Sequence, residues 1–341
     1  MNKVNIKKIA EESGYSIASV SRVINGKSGV SEEVRKKITA ILRKYNYILD
    51  SHLSRERKIA LLCGNDEFSD YIGKVFNGIR EYSRETGLNT AMVFKNNALK
   101  MTVLEQIREE QCSGVIVILP VMFRDELDAL AESELPVVLI DEVIYKDGLG
   151  FIDHDAYSGS SEAVRHLLEL GHRNIGYIEC YIQAFNHLQR IKAYENTLKG
   201  VGIEIKPQWH VKTPLGDAMW HGAYLKMKEL LDTAPELTAV MTTNDNLAVG
   251  AVKAIMESGR KVPEDISVVG FDNYTLAECL HPGLTTVNHP IREIGYMAAK
   301  EIDLYLKNPK ERTLPHEILP TKLIIRESTC APVNFNSGRI A

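Results

Sequence analysis

Apolar positions three and four apart mark the start of the chain. Ile6, Ile9 and Ala10 share one face of a short helix whose other face carries Lys7, Lys8, Glu11 and Glu12, the spacing of an amphipathic helix packed on a small core. Gly14 suits the positive-φ position of a tight turn, and Ser16 is a good N-cap for a second helix. On that helix Val20, Val23 and Ile24 form the inward stripe, which leaves Ile17, Ala18, Ser21 and Arg22 outside and free to enter a major groove. A third helix is predicted next: Ser31 caps it, Glu32 and Glu33 complement its N-terminal dipole, and Val34, Ile38, Ile41, Leu42 and Tyr45 repeat at helical spacing. Together these make a three-helix helix-turn-helix head.

From Ile59 the pattern changes to short continuous apolar runs alternating with helical segments. Strands are predicted over 59–63, 90–94, 114–119 and 137–140, with helices over 75–86 and 103–111 between them; the series repeats with strands over 174–179, 239–242 and 267–271 and helices over 160–170, 190–200, 222–231 and 246–258. Apolar strands without alternation belong to parallel sheets covered on both faces. Two such units in tandem predict a body of two doubly wound α/β lobes with a cleft between them.

Charge sharpens the division. Residues 1–58 hold 13 Lys and Arg against 6 Asp and Glu, whereas the remaining 283 hold 28 against 39. A basic head on an acidic body is the footprint of a nucleic-acid-binding module joined to one that does not touch nucleic acid. The chain is 44% hydrophobic, and no apolar run reaches the roughly 18 residues of a membrane span. No apolar stretch follows Lys3, Lys7 and Lys8 as in a secretory leader, so a cytoplasmic location is expected. The five cysteines are far apart and include no C-x-x-C, which argues against a disulfide framework or a zinc site. No phosphate-binding loop, G-x-G-x-x-G after the first strand, H-E-x-x-H or G-x-S-x-G occurs. The ten histidines are scattered, and His172 reads as a structural turn residue. No enzyme activity, metal or cofactor is expected.

The run Ser16-Ile17-Ala18-Ser19-Val20-Ser21-Arg22-Val23-Ile24-Asn25 resembles the recognition helix of the LacI/GalR family of transcriptional repressors, with Ser19 in place of the usual Thr and Tyr15 in place of the usual Val of the turn. The body is similar to the same family: Asp155 with Gly159, His166 to Arg173, Arg190-Ile191-Lys192-Ala193-Tyr194, Thr243-Asn244-Asp245, Val262 to Asp272, and Leu323 to Thr329 match its motifs, with Ala156 for Asn and Ala193 for Gly. The resemblance spans residues 4–329 and implies a periplasmic-binding-protein-like body. It divides the chain into a head (1–50), a hinge (51–58), an N-terminal lobe (59–158 and 287–318), a C-terminal lobe (159–286 and 319–330) and a tail (331–341).

The resemblance implies that Arg22 reads a guanine, which its planar fork of donors can pair in two places, and that Ile17 and Ala18 choose the operator. Both are apolar and suit thymine methyls. Asn5, Ser16, Ser19, Ser21 and Asn25 lie along the same DNA-facing surface, with Asn5, Ser16, Ser19 and Asn25 at the family's phosphate-contacting positions. In the family a hinge Leu wedges the minor groove; here that position falls on Glu56, Leu49 and Asp50 replace a Pro-Asn pair, and Leu53 is the candidate wedge. Effector recognition is expected from Arg190, Asn244 and Asp272, which supply paired hydrogen bonds to sugar hydroxyls, with Tyr71, Ile72 and Trp220 as cleft walls. Asp245 reads more simply as a helix cap, and Asp217 stands where the family often stacks an aromatic ring. The expected protein is a homodimer on a pseudo-palindromic double-stranded DNA operator, released by a sugar or sugar derivative, with no membrane partner. The chain ends without a leucine heptad, which predicts a dimer rather than a tetramer. Control by a protein partner, a ligand that strengthens DNA binding, and a ligand-binding module whose head has lost its operator remain alternatives.

Overall fold

The computed structural model describes residues 6–24, 29–44, 57–64, 69–95, 101–181, 184–214 and 219–333. These fall into two units, residues 1–58 and 59–341.

In the first unit three helices form, α1 (Ile6–Ser13), α2 (Ile17–Ile24) and α3 (Glu32–Lys44). Gly14 takes φ 72° between the first two. Ser16 caps α2 by accepting from Ser19 N at 3.1 Å, and Ser31 accepts from Val34 N at 3.5 Å at the start of α3. Ile9, Val20, Val23, Ile38 and Leu42 are buried together, so all three helices contribute to one small core. The turn and the caps are those the sequence predicts, as are Ile9, Val20, Val23, Ile38 and Leu42 in the core; Tyr45 and the side chain of Ile24 lie outside the described residues.

The second unit holds two six-stranded sheets. The first sheet contains β1 (Lys58–Cys63), β2 (Asn89–Phe94), β3 (Gly114–Ile118), β4 (Val137–Ile140), β5 (Leu149–His154) and β11 (His316–Leu319) in the order β11-β5-β4-β3-β1-β2. The second contains β6 (Ile175–Glu179), β7 (His210–Lys212), β8 (Ala239–Thr242), β9 (Ser267–Asp272), β10 (Thr285–Asn288) and β12 (Lys322–Ile324) in the order β12-β10-β9-β8-β6-β7. The two lobes thus repeat one doubly wound topology. β3 and β4 are buried at every residue, as strands covered on both faces must be.

Helices flank the sheets: α4 (Asp70–Thr86), α5 (Val103–Glu109), α6 (Leu127–Ala131) and α12 (Ile291–Lys307) on the first, and α7 (Ala156–Glu169), α8 (Phe185–Gly200), α9 (Met219–Thr233), α10 (Asp245–Glu257) and α11 (Thr275–Cys279) with the second. Ser69, Thr102, Asp155 and Asn244 cap α4, α5, α7 and α10 through side-chain oxygens. Gly250 is required by packing: a Cβ there would meet the Trp220 carbonyl oxygen at 1.9 Å, where α10 crosses α9.

The chain passes between the lobes three times, at 154–156, 288–291 and 319–322. After β10, α12 buries Ile291, Ile294 and Ala298 in the first lobe's core beside Ile59 and Val75. Five strands, β5, β7, β10, β11 and β12, and one long helix lie outside the elements the sequence suggests. β5 reads Leu-Gly-Phe-Ile-Asp-His, too polar at its end to look like a buried strand, yet all six residues are buried. β10, β11 and β12 have three or four residues each, too few for a periodic signal, and α12 follows Pro290 directly.

Candidate functional site

On α2, Ile17 is 47% exposed, Ala18 and Arg22 are exposed, and Ser19 and Ser21 are half-buried, while Val20 and Val23 lie in the core. Ile17 does not pack within the head. The Ser16 hydroxyl is shared between the cap and the Ser19 hydroxyl at 2.9 Å. One face therefore presents an apolar pair and a guanidinium, and the other anchors the helix. The predicted contacts Asn5, Asn25 and Leu53 lie outside the described residues, as do Glu56 and Asp217.

In the body the polar residues converge where the strands of both lobes end, the edge at which doubly wound sheets bind ligands. Asp141 directly follows β4, His154 ends β5, Thr243 and Asn244 follow β8, Asp272 ends β9 and His289 follows β10. Asp141 and Asp272 take φ 66° and 98°, in a region that non-glycine residues seldom occupy. Such strain is held where surrounding contacts over-determine it.

Arg190, from α8, is buried with its guanidinium 3.6 Å above the Phe271 ring. It donates through Nη1 to the Thr243 carbonyl at 2.6 Å and through Nη2 to Asp272 Oδ1 at 3.2 Å, and Nη2 also faces His154 Nε2 at 3.1 Å. A guanidinium nitrogen has no lone pair to offer, so His154 Nε2 accepts. His289 Nδ1 pairs with Asp272 Oδ1 at 3.2 Å, and its Nε2 lies 3.3 Å from Asp141 Oδ1. The His154 and His289 rings stack at 3.6 Å.

Charge follows this geometry. Burial alone would lower the pKa of His289, but Asp141 and Asp272 on its two nitrogens raise it to about 9. Burial would raise both carboxyls; instead the His289 charge holds Asp141, and Arg190 with His289 hold Asp272, well below the usual carboxylate range. His289 is therefore a cation between a first-lobe and a second-lobe carboxylate. The lobes are tied further by Lys74 Nζ donating to the Asn273 carbonyl at 2.7 Å and by Tyr274, buried among first-lobe residues.

The structure gathers Arg190 and Asp272 directly. Asn244 is buried beside them, with its Oδ1 accepting from Leu247 N at 3.1 Å as the α10 cap. The capping expected of Asp245 thus belongs to Asn244. Asp245 instead accepts from Tyr274 N at 2.7 Å and Thr286 Oγ1 at 2.6 Å, fastening α10 to β10 and the loop after β9. Tyr71 reaches the cluster from the first turn of α4, its ring 6.1 Å from His289, whereas Ile72 is spent on the first lobe's core. Trp220 does not join: it is 44% exposed on α9, edge-on to His221 at 5.5 Å. His172 is buried, its ring nitrogens held by Thr238 Oγ1 at 2.8 Å and the Cys330 carbonyl at 2.9 Å, so it pins the chain after α7 to β8 and the C-terminal segment. The sequence reading missed Asp141, Asp153, His154 and His289. A polar residue directly after a buried apolar run was the signal available for Asp141.

Comparison with known proteins follows the same division. A model of bacterial regulatory proteins of the lacI family matches residues 5–50, and one of a periplasmic binding protein-like domain matches residues 164–329. The chain is 30% identical over 343 residues to the HTH-type transcriptional regulator DegA of Bacillus subtilis, covering 97% of this chain and 99% of that protein. It is 29% identical over 331 residues to the ribose operon repressor of Haemophilus influenzae, covering 95% and 98%. The solved complex of the transcriptional regulator CelR with cellobiose superposes with a TM-score of 0.68 at 25% identity, over 96% of this chain and 100% of that one.

Proposed function

Because the chain belongs to the lacI family of bacterial regulatory proteins, we propose that it acts as a homodimeric repressor, binding a pseudo-palindromic operator through α2 and releasing it when a sugar occupies the cleft between the lobes. It is a DNA-binding transcriptional regulator; the operator, the effector and the dimer are the proposal. The observation that carries it is the split of α2 into a buried apolar stripe and an exposed face of Ile17, Ala18 and Arg22. That face meets what a major groove offers, a guanine edge for Arg22 and thymine methyls for the other two. A two-fold dimer would place two such helices on two half-sites.

A sugar fits the body chemically. Arg190, Asp272 and Asn244 carry the guanidinium, carboxylate and amide groups that pair with vicinal hydroxyls, at strand ends facing the junction. Relatives named as a ribose operon repressor and as a cellobiose complex support this class. Here the lobes are drawn together through His289, so an effector that favours one lobe angle would shift the population of DNA-competent dimers.

Selection of random duplex DNA by the full-length protein at near-physiological salt tests the reading. An inverted repeat with a guanine in each half that Arg22→Ala no longer requires is the expected result; recovery of no repeat would overturn it. Calorimetry against a panel of pentoses, hexoses and disaccharides tests the effector, with binding lost in Asp272→Asn.

A further inference from the structure

Three buried atoms at the lobe junction have no hydrogen-bond partner among the described residues and face one another: Asp141 Oδ1, His154 Nδ1 and His289 Nε2. One such atom from each residue lies within 4.8 Å of the other two. Asp141 Oδ1 is 3.5 Å from His154 Nδ1 and 3.3 Å from His289 Nε2, and His154 Nδ1 also lies 2.9 Å from Asp153 Oδ1, yet none of these contacts has hydrogen-bond geometry. Ligand atoms about 2.0–2.1 Å from a tetrahedral zinc ion lie roughly 3.3 Å apart, so the spacing is that of a metal site's edge.

The surroundings fit as well. His289 Nδ1, the nitrogen not facing the gap, is held by the Asp272 carboxylate at 3.2 Å, the support that metal-bound imidazoles usually have. Asp141, Asp153 and Asp272 crowd the two rings, with Arg190 as the compensating cation. Coordination through His289 Nε2 displaces the proton of the cationic imidazole to solvent; with both imidazoles then neutral, the three carboxylates against Arg190 leave an excess of two negative charges to meet a divalent ion.

We propose that Asp141, His154 and His289 form a binding site for a first-row divalent transition-metal cation that clasps the two lobes. Two imidazoles and one carboxylate favour zinc, cobalt or nickel over magnesium or calcium, and leave a coordination position open. Coordination through His154 Nδ1 puts that ring's proton on Nε2, which then no longer accepts from Arg190. Arg190 keeps the Thr243 carbonyl and Asp272 as acceptors, and the released N–H becomes available to a ligand in the cleft. Asp141 follows and His154 ends a strand of the first sheet, and His289 follows a strand of the second, so the cation draws the lobes together. This inference does not depend on the sugar or on the operator.

The test uses tag-free full-length protein, stripped with EDTA and exchanged into chelator-free buffer, with neither DNA nor sugar present. Titration with Zn2+ by calorimetry should show one cation per chain at micromolar affinity or tighter, and Co2+ should develop the visible absorption of a tetrahedral nitrogen-oxygen site. His289→Gln and Asp141→Asn should weaken binding by about tenfold or more, and His221→Gln on α9 should not. In the wild type, imidazole nitrogen NMR should show two rings shifting on zinc addition, a readout that needs no variant to fold. Binding no tighter than millimolar, affinity unchanged in both variants, or shifts confined to other histidines would overturn the site. Any of these failures would leave DNA recognition untouched, since the selection experiment reads the head alone.

Discussion

Replacing Asp272 with asparagine keeps the side chain's shape and removes its charge from the centre of the body. The Arg190 and Asp272 side chains are 3% and 6% exposed, so solvent screens their attraction little. Hydrogen bonds to charged groups contribute about 1.5–3 kcal/mol each, and breaking a buried pair by removing one partner costs about 3–5 kcal/mol. Two contacts soften the loss: Arg190 Nη1 keeps the Thr243 carbonyl, and Asp141 remains beside His289 Nε2. The lower end, about 3 kcal/mol, is therefore expected. In a body of this size it corresponds to a fall of roughly 6–12 °C in melting temperature. The folded carboxyl titrates below its unfolded value, so its contribution is present above the unfolded pKa and lost as pH falls through the folded one. The deficit should be full at pH 7 and shrink below about pH 4. Urea denaturation of the effector-free protein followed by circular dichroism measures it. Arg190→Met in the Asp272→Asn background should recover part of the loss, because the guanidinium no longer lies buried without its counter-charge. A deficit under about 1 kcal/mol, or strict additivity of the two substitutions, would refute the claim that this pair is a coupled buried ion pair.

Asp245 makes the opposite prediction. Burial raises its carboxyl to about 7, against which the Thr286 hydroxyl and Tyr274 N–H pull only partly. A raised folded pKa gives stability that is complete below the unfolded value and lost as pH rises through the folded one. Between pH 5 and 8 the wild type should therefore lose about 2–3 kcal/mol relative to Asp245→Asn, and a gap of the other sign would sink the assignment. Gly250→Ala places a methyl against the Trp220 carbonyl, so α9 and α10 must separate. A cost of about 1–3 kcal/mol is expected by thermal melting, and a neutral substitution would mean the helices are not in that close contact. In the head, Arg22→Ala should cost about 1–3 kcal/mol on the selected operator and relax the sequence at one position of each half. Ser16→Ala, which loses the α2 cap and the phosphate contact proposed for it, should weaken all sequences alike; anisotropy titration on matched and mismatched duplexes separates the two.

The head was legible from sequence because its determinants are local. Ile9, Val20 and Val23 reach the core because helical spacing aims them there, and Gly14 and Ser16 fix the turn within a few residues of the positions they serve. The apolar runs of β1, β3, β4, β6, β8 and β9 were equally readable, since strands buried on both faces need continuous apolar sequence. Family resemblance placed Arg190, Asn244 and Asp272 at the junction. Only tertiary structure decided what those residues meet. Asp141, His154 and His289 lie 13 and 135 residues apart in the chain, and no local pattern links them. They become neighbours because the chain crosses between two parallel sheets three times and brings the ends of β4, β5 and β10 to one place. The division of labour between Asn244 and Asp245, and the exclusion of Trp220 from the cluster, are set in the same way. Periodicity along one element fixes which face is buried, but which charges share a buried space depends on the order of strands in the sheets and on where the chain passes from one to the other.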